Sequence, residues 1–358
     1  MAALQGADAL IPNSVLRVMA DVNAMLANLV LQFIAWLALQ LLPVTATTIW
    51  LDRWATMYLI NADGSKGRKQ ATFASGTVNA SIISITGATI AAGSLLSGAN
   101  GVTYQVTAQA STAVAGTLPV SIIALNAGAI SNLDSGATIA FLSPPNGVSG
   151  SASVVSLSGG TDTETDGQLQ YRLLLRLANP PMGGDATDYV QWALAVPGVT
   201  RAWASPQEMG IGTMTVRFMM DSLRATNGGF PISSDITSVA NYIDSVRPVT
   251  VRDMFVEAPV PNPINFEVAN LVNNNPTTWA NIQSSIIALL LDKAAPASSV
   301  NGVSVPPQTI YVAWVSDAIL NAGGVESFDL FDINGNQLGD FVMPNNGSMA
   351  SIGTIRHG

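Results

Sequence analysis

Acidic and amide side chains form two groups whose types and spacing could support chemistry. In the first group, Asp162, Glu164 and Asp166 alternate with threonines, and Asp185 and Asp188 follow a glycine pair. Oxygen ligands of this kind bind hard cations, and paired carboxylates can act as acid and base. Both sets also precede helical patterns, where carboxylates cap the helix start and complement its dipole. We favour helix capping over a metal or acid–base site.

The second group resembles the start of a calcium-binding EF-hand loop. Asp332, Asn334 and Asn336 match its first three ligand positions, but Gln337 stands where the loop requires glycine. Met343 stands where the loop requires a bidentate glutamate. The Asn-Gly dipeptide within the group is itself a hairpin signal, so we expect a turn here.

Residues for nucleophilic or cofactor chemistry are scarce. The chain has no cysteine, which excludes thiol nucleophiles and thiolate metal sites, and its single histidine is His357. None of the three lysines, Lys66, Lys69 and Lys293, has an obvious activating neighbour. A phosphate-binding loop of the Gly-Lys-Ser/Thr type is missing from the sequence. We therefore predict a protein that is not an enzyme and that uses no catalytic residue, cofactor or metal.

The composition favours large buried surfaces and few charged partners. Of the 358 residues, 48% are hydrophobic and only 10% are charged, against about 25% charged residues in an average soluble protein. Lys and Arg number 14 and Asp and Glu 23, which gives a net charge of -9. This charge repels phosphate, so direct nucleic-acid binding is not expected. Few surface charges also lower the desolvation cost of forming interfaces.

The N-terminal region contains a helical pattern with two different faces. No residue between Asp21 and Asp52 is charged, and Pro43 is expected to end the helix. At about 100° per residue, the large side chains share one face, which consists of Val22, Met25, Leu26, Leu29, Phe33 and Leu37. Small residues gather on the other side with two amides, Asn28 and Gln32. We predict that Leu26, Leu29, Phe33 and Leu37 bind a partner helix, while Asn28 and Gln32 fix the register.

Two other roles for this helix stay open. It could be a core helix of the same chain, or it could cross a membrane, because Ala24 to Leu42 is almost entirely apolar and long enough. Membrane helices usually have more Lys and Arg at one end than at the other. Here the two ends do not differ in this way, because Arg17 and Arg53 are each accompanied by an aspartate. A signal peptide is not indicated either, because no compact basic stretch precedes the apolar run. We predict no membrane association.

The rest of the pattern indicates an α+β multidomain protein. From Ala71 to Gly160 the only charged side chain is Asp134, and short runs rich in Val, Ile and Thr are separated by Gly or Asn. We predict N-terminal helices in residues 1–70 and a small all-β domain in residues 71–158. Residues 159–358 alternate helical and strand patterns, which predicts an α+β domain of helices packed on short mixed or antiparallel sheets.

Several spaced sequence blocks resemble the baseplate J-like proteins, which are wedge components of contractile tails in Mu-like and P2-like phages. The order and spacing of the blocks carry the resemblance, which covers nearly the whole chain. The blocks between Gly159 and Val199 are the most specific for this family. In chain order the blocks are Thr45-Ala46, Leu51–Ala55, Ala71–Val78, Ala92–Leu96, Gly101–Tyr104, Gly159–Asp166, Asn179-Pro180-Pro181, Gly183-Gly184, Asp188-Tyr189, Trp192-Ala193 and Val196–Val199.

The resemblance implies a structural virion protein, assembled in the host cytoplasm into the tail baseplate. Family members pair within a wedge, join a neighbouring wedge protein through a helical core bundle, and link wedges into a ring around the hub. That ring rearranges to trigger sheath contraction. The implied partners are a second copy of the chain, a neighbouring wedge protein, and proteins of the hub and near the sheath. The alternative is a polysaccharide-binding or depolymerising tail protein, which would need paired carboxylates and exposed aromatics in a cleft.

Overall fold

The structure is a computed structural model that describes residues 15–249, 251, 253–300, 303–304 and 308–358. Chain contacts divide it into two units. One unit is helical and consists of residues 15–59 of the described chain with Lys66–Arg68 and Thr165–Ala178. The other unit contains the strands and the remaining helices.

The helical unit has three helices: α1 (Val15–Gln40), α2 (Thr48–Tyr58) and α3 (Asp166–Ala178). Helices α2 and α3 share a small core of Leu51, Ala55, Leu59, Leu169 and Leu173. Helix α3 follows the β-rich region in sequence and lies in the third predicted region, but it packs on α2. The predicted boundaries at residues 70 and 158 stay predictions.

Residues 75–158 form a closed six-stranded barrel with the order β1-β6-β4-β3-β7-β8, and β2 and β5 pair as a separate ribbon. Alternate residues of each strand point inward, as along β6, where Leu118, Val120 and Ile122 are buried. These inward residues form a single apolar core. The strands are β1 (Ser75–Ile82), β2 (Ala88–Ile90), β3 (Leu95–Gly98), β4 (Thr103–Val106), β5 (Ala110–Thr112), β6 (Gly116–Ala124), β7 (Thr138–Phe141) and β8 (Val148–Ser158).

Two small sheets with flanking helices follow the barrel. In the first, β10 lies between β9, which is antiparallel to it, and β11, which is parallel. In the second, β12 lies between the antiparallel β16 and the parallel β18. The elements of the first sheet are α4 (Ala186–Ala195), β9 (Arg201–Pro206), β10 (Thr213–Met219), α5 (Ser233–Val246) and β11 (Asp253–Glu257).

The remaining elements belong to the second sheet or flank it. They are β12 (Val260–Ala269), α6 (Pro276–Lys293), β13 (Ser299–Val300), β14 (Val303–Ser304), β15 (Thr309–Ile310), α7 (Val312–Leu320), β16 (Asp329–Phe331), β17 (Phe341–Val342) and β18 (Ser348–His357). Helices α6 and α7 and this sheet share a second large apolar core. The predicted fold class, with N-terminal helices, a small all-β domain and a C-terminal α+β region, is confirmed.

A buried lysine fastens the segment that leads into the barrel. The Lys69 ammonium donates to the carbonyl oxygens of Leu194, Val196 and Val199 at 2.9 to 3.2 Å. These carbonyls lie at and just beyond the C-terminal end of α4, where a positive charge complements the helix dipole. The lysine therefore holds the barrel entry against the end of α4.

Replacing this lysine tests the fastening. We expect Lys69→Met to lower the free energy of unfolding by about 2–3 kcal/mol, because it leaves buried carbonyls without their charged donor. A urea titration measures the loss. The matched control is Lys66→Met, which makes the same change at an exposed position and should cost less than about 0.5 kcal/mol. Equal losses in the two variants would contradict the role given to Lys69.

Candidate assembly interface

Helix α1 forms because its sequence contains nothing that would break it. Residues 15–42 contain neither glycine nor proline and are rich in alanine, leucine and methionine, which are good helix formers. Pro43 follows immediately, and the helix ends at Gln40 as the sequence predicts. At about 1.5 Å per residue, the 26-residue helix is about 39 Å long.

Nearly the whole apolar surface of α1 faces solvent. Gln40 is its only buried residue, and Leu26, Leu29 and Phe33 are 59%, 62% and 59% exposed. Each large apolar side chain left in water forgoes about 1.5–3 kcal/mol of burial energy. Exposed apolar surfaces of this size are typical of protein–protein, membrane and ligand contacts.

All six predicted partner-binding residues lie on α1. Leu26, Asn28, Leu29, Gln32 and Phe33 are exposed and Leu37 is half-buried. We call these six residues the α1 face. Their role as a binding surface stays a prediction.

The exposed apolar surface of α1 extends beyond the predicted face. Trp36 stacks on Phe33 at 5.8 Å between ring centroids and is 42% exposed. Three large side chains outside this face are exposed as well: Leu31 on the opposite side, and Ile34 and Leu39 on the two flanks. A helix that is apolar all round is normally enclosed on all sides. The sequence contains this information, because large apolar residues occur on every side of the helix and not only on its most apolar face.

The C-terminal end of α1 is fixed by a hydrogen-bonded turn. The Gln40 side-chain oxygen accepts from both the backbone N–H and the hydroxyl of Thr47 at 2.8 Å. The Gln170 amide of α3 donates to the carbonyl oxygens of Pro43 and Val44 at 2.9 and 2.8 Å. The end of the exposed helix is thus held in place by the other two helices of its unit.

An arginine and two aspartates connect the helices of this unit. Arg68 donates to Asp52 at 2.8 Å and to Asp166 at 2.6 Å. The Thr48 hydroxyl, at the start of α2, donates to the second Asp166 oxygen at 2.6 Å. Hydrogen bonds from Thr48 and Arg68 lower the pKa of Asp166, because both stabilise its charged form.

This pKa shift predicts that the stability of the helical unit depends on pH. Because the folded-state pKa of Asp166 lies below its unfolded value near 3.9, its stabilising contribution is present above about pH 4 and is lost as the pH falls through the folded value. The stability difference between the wild-type chain and Asp166→Asn should therefore shrink below about pH 4. Urea titrations from neutral pH downward measure it.

The control for this prediction is Asp134→Asn, which removes the same charge from an exposed barrel loop. A difference between wild type and Asp166→Asn that stays constant into acid would contradict the assignment.

Three of the acidic residues that suggested a cation site each accept hydrogen bonds from backbone N–H groups, at different places in the fold. Asp162 accepts from the backbone N–H of Ala129 at 2.8 Å, and Glu164 accepts from that of Lys69 at 3.1 Å. Asp188 accepts from backbone N–H groups ahead of α4, the shortest bond being 2.7 Å from Gly184. Capping and loop fastening therefore explain these side chains.

The EF-hand-like group forms a turn. One Asp332 oxygen accepts from the backbone N–H groups of Asn334 and Asn336, each at 2.8 Å. The Asn336 side-chain amide donates to the other oxygen at 3.0 Å. This bond, followed by the backbone bonds, lowers the pKa of Asp332 because it stabilises the charged carboxylate. Among the described residues, no group of three or more Asp, Glu, His or Cys side chains is placed to bind a metal ion.

In the described part of the chain, α1 is the one helix long and apolar enough to cross a membrane. Length and composition alone support that reading, and a core helix or a signal sequence meets the same two criteria.

Comparison with known proteins decides the family. The model of the baseplate J-like barrel domain matches residues 71–160, and that of the baseplate J-like central domain matches residues 181–257. The Mu-like prophage FluMu protein gp47 of Haemophilus influenzae is 34% identical over 275 residues, which are 73% of each chain. The chain belongs to the baseplate J-like family.

Two further relatives agree with this assignment. The baseplate protein gp47 of Escherichia phage Mu is 36% identical over 213 residues, which are 59% of this chain and 56% of that protein. The putative protein JayE of Escherichia coli K12 is 32% identical over 244 residues, 68% of this chain and 87% of the relative. The family resemblance predicted from the spaced blocks is confirmed.

The family models also coincide with structural elements. The barrel-domain match encloses all eight strands from β1 to β8. The central-domain match covers α4, the first C-terminal sheet and α5. Helix α1 lies outside both matches.

Proposed function

We propose that this chain is a non-enzymatic wedge subunit of a contractile phage tail baseplate. It resides in the virion tail, where it pairs with a second copy and with a neighbouring wedge protein, and the wedges close into a ring around the hub. Rearrangement of this ring triggers sheath contraction. Membership in the baseplate J-like family supports the tail baseplate as its location.

The observation that carries the proposal is the exposure of α1. A 26-residue helix with a single buried residue gains stability only when other chains cover it, as in an obligate assembly. Its apolar surface extends all round, so the covering partners enclose it on more than one side. We assign the α1 face to the contact with the neighbouring wedge protein.

The low charge of the chain supports permanent assembly. Only 10% of the residues are charged, so little desolvation opposes interface formation. In this proposal residues 1–70 form the bundle region and residues 71–158 the barrel, while residues 159–358 form the α+β region through which copies dimerise and join the ring. Helix α3 then supports the bundle-forming region from the third segment, because it packs on α2.

Native mass spectrometry tests the proposal. The chain should be measured alone and after co-expression with the tail proteins encoded beside it. We expect a self-associated species alone, and a larger complex of fixed composition with one neighbour. A stable monomer that binds no neighbouring tail protein would refute the wedge assignment.

A further inference from the structure

Helix α7 and strand β16 line a groove in the C-terminal region. Val312, Ser316 and Leu320 line it from α7, and because they are spaced four residues apart they form one face of that helix. Leu330 and Phe331 line it from β16. The groove has a volume of about 630 Å³, and we call it the α7 groove.

The α7 groove has an apolar lining that is fixed by the core beneath it. Val312, Phe328 and Leu330 are half-buried and pack against the apolar core shared by α6, α7 and the second sheet. Leu338, which also lines the groove, belongs to that core and is 8% exposed. Leu320 is 53% exposed and presents a large aliphatic side chain at the surface. The groove therefore offers an apolar surface to another molecule.

Two exposed carboxylates line the same groove. Glu326 accepts from the side-chain amide of Asn273 at 3.5 Å, and Asp329 accepts from that of Asn270 at 2.7 Å. Both donors are uncharged amides. These hydrogen bonds therefore bring no positive charge to the carboxylates.

The charge around the α7 groove has one sign. Asp317 lies one turn before Leu320 on α7, and Asp340 accepts from the backbone N–H of Val312 at 2.9 Å. From residue 294 to residue 355 the sequence contains five acidic residues and neither lysine nor arginine. Negative charge of this kind beside an apolar surface attracts a partner of the opposite charge.

The basic residues that flank this stretch have other contacts. Lys293 pairs with Asp292 at 2.9 Å, and Arg356 donates to the carbonyl oxygen of Ile333 at 3.2 Å. Neither basic residue lines the groove. The positive charge that would complement the α7 groove is thus absent from the residues that line it.

The charge distribution of the chain indicates which occupant is complementary. The whole net charge of -9 comes from residues 159–358, which contain 18 acidic and 9 basic residues, whereas residues 1–158 contain five of each. A second copy that met the groove with its own C-terminal region would place like charges together. Nucleic acids and anionic lipid surfaces are repelled for the same reason. The complementary occupant is a protein segment with both basic and apolar side chains.

We propose that the α7 groove binds a segment of another protein in which lysine or arginine side chains lie beside apolar ones. The apolar side chains of that segment cover Leu320 and Leu330, and its cations pair with Glu326 and Asp329. The assignment of that protein to the tail rests on the proposed function, whereas the chemistry of the groove does not.

Two labelled peptides test this chemistry on the isolated full chain. Each has about ten residues, the length of a long strand, and alternates leucine with either lysine or glutamate. We expect Glu326→Lys/Asp329→Lys to weaken binding of the lysine peptide by at least about tenfold in fluorescence anisotropy, because cations then face cations. The same variant should bind the glutamate peptide more tightly than the wild type does, a gain that a loss of folding would not produce.

The matched control is Asp134→Lys/Asp292→Lys, which makes the same charge change at two exposed positions outside the groove. It should weaken binding of the lysine peptide by less than about twofold, because charges separated by more than a Debye length are screened. Equal effects of the two double variants, or no effect of either, would overturn the proposal.

Carboxyl labelling extends the test to the assembled tail. Carbodiimide coupling of glycinamide to Glu326 and Asp329 should be at least about tenfold slower in assembled tails than in the free chain, because an interface excludes solvent and reagent. Unchanged labelling would overturn the contact. Labelling that slows as the concentration of the free chain rises would overturn it too and assign the groove to a second copy. A stable monomer that still distinguishes the two peptides would refute the wedge assignment and support the chemistry of the groove.

Discussion

Replacing Leu29 by aspartate should prevent the chain from entering a complex with its neighbouring subunit. Leu29 lies in the α1 face and is 62% exposed in the free chain, so the charge is solvated there and folding is unaffected. In a helical interface the same carboxylate would be buried without a partner, at a cost of about 3–5 kcal/mol. Affinity should therefore fall by about 100-fold or more.

Two controls separate this effect from a loss of folding or a general charge effect. Leu29→Met keeps an apolar side chain of similar volume and should assemble like the wild type. Ile130→Asp adds the same charge at a position that is 63% exposed on the barrel, outside the α1 face. Pull-down and native mass spectrometry measure assembly, and thermal unfolding should give the same midpoint for all three variants. An aspartate at position 29 that still joins complete complexes would refute the α1 face.

Removing Arg217 should cause the largest loss of stability in the C-terminal region. Arg217, on the central strand β10, pairs with Glu208 at 2.6 Å and with Glu257 at 3.0 Å. Its side chain is 4% exposed and that of Glu208 is 0% exposed. Gly347 lies against the guanidinium, where a Cβ atom would come within 2.8 Å of Arg217 Nε. Substitution of Arg217 by alanine leaves the buried Glu208 carboxylate without its charged partner.

We expect Arg217→Ala to lower the free energy of unfolding by about 3–5 kcal/mol, because Glu208 then stays buried without a compensating charge. The paired variant Arg217→Met/Glu208→Gln removes both charges and should recover most of this loss. Urea unfolding measures both. A loss below about 1 kcal/mol for Arg217→Ala would show that Glu208 does not depend on this arginine.

Local sequence patterns sufficed for the elements whose contacts are close in sequence. The uninterrupted apolar run before Pro43 predicted α1, and its end agrees with the structure. The Asn-Gly pair predicted the turn at Asp332. Val-, Ile- and Thr-rich runs predicted an all-β domain between the helices and the α+β region. In each case the deciding interactions lie within one turn or one strand.

Closure of the barrel could not be predicted from these runs. Strand β1 pairs with β6 and also with β8, so closure depends on registers between strands far apart in the sequence. Alternation specifies which face of a strand is buried, but not which strand lies beside it. The sequence therefore indicated a β domain without indicating a barrel.

Polar residues that fix the candidate site were missed for a similar reason. In the sequence, Gln40 is simply a polar residue at the end of an apolar helix. In the structure, its side-chain oxygen accepts from the Thr47 N–H and hydroxyl and so fixes the turn into α2. Arg68 reaches Asp166, 98 positions away. Such partners become recognisable only when the fold brings them together. By contrast, Asp188 acts on the N-terminal end of its own helix, which the spacing from Asp185 predicted.

Methionine oxidation tests directly whether other protein chains cover α1 in the assembled tail. Met19 and Met25 on α1 are 57% and 67% exposed, Met182 is 76% exposed, and the core residue Met219 is 1% exposed. In the free chain, peroxide should oxidise the first three at similar rates and Met219 far more slowly. In detergent-free assembled tails, we expect oxidation of Met19 and Met25 to slow by at least about tenfold. Unchanged oxidation of both residues in the assembled tail would show that no other chain covers α1.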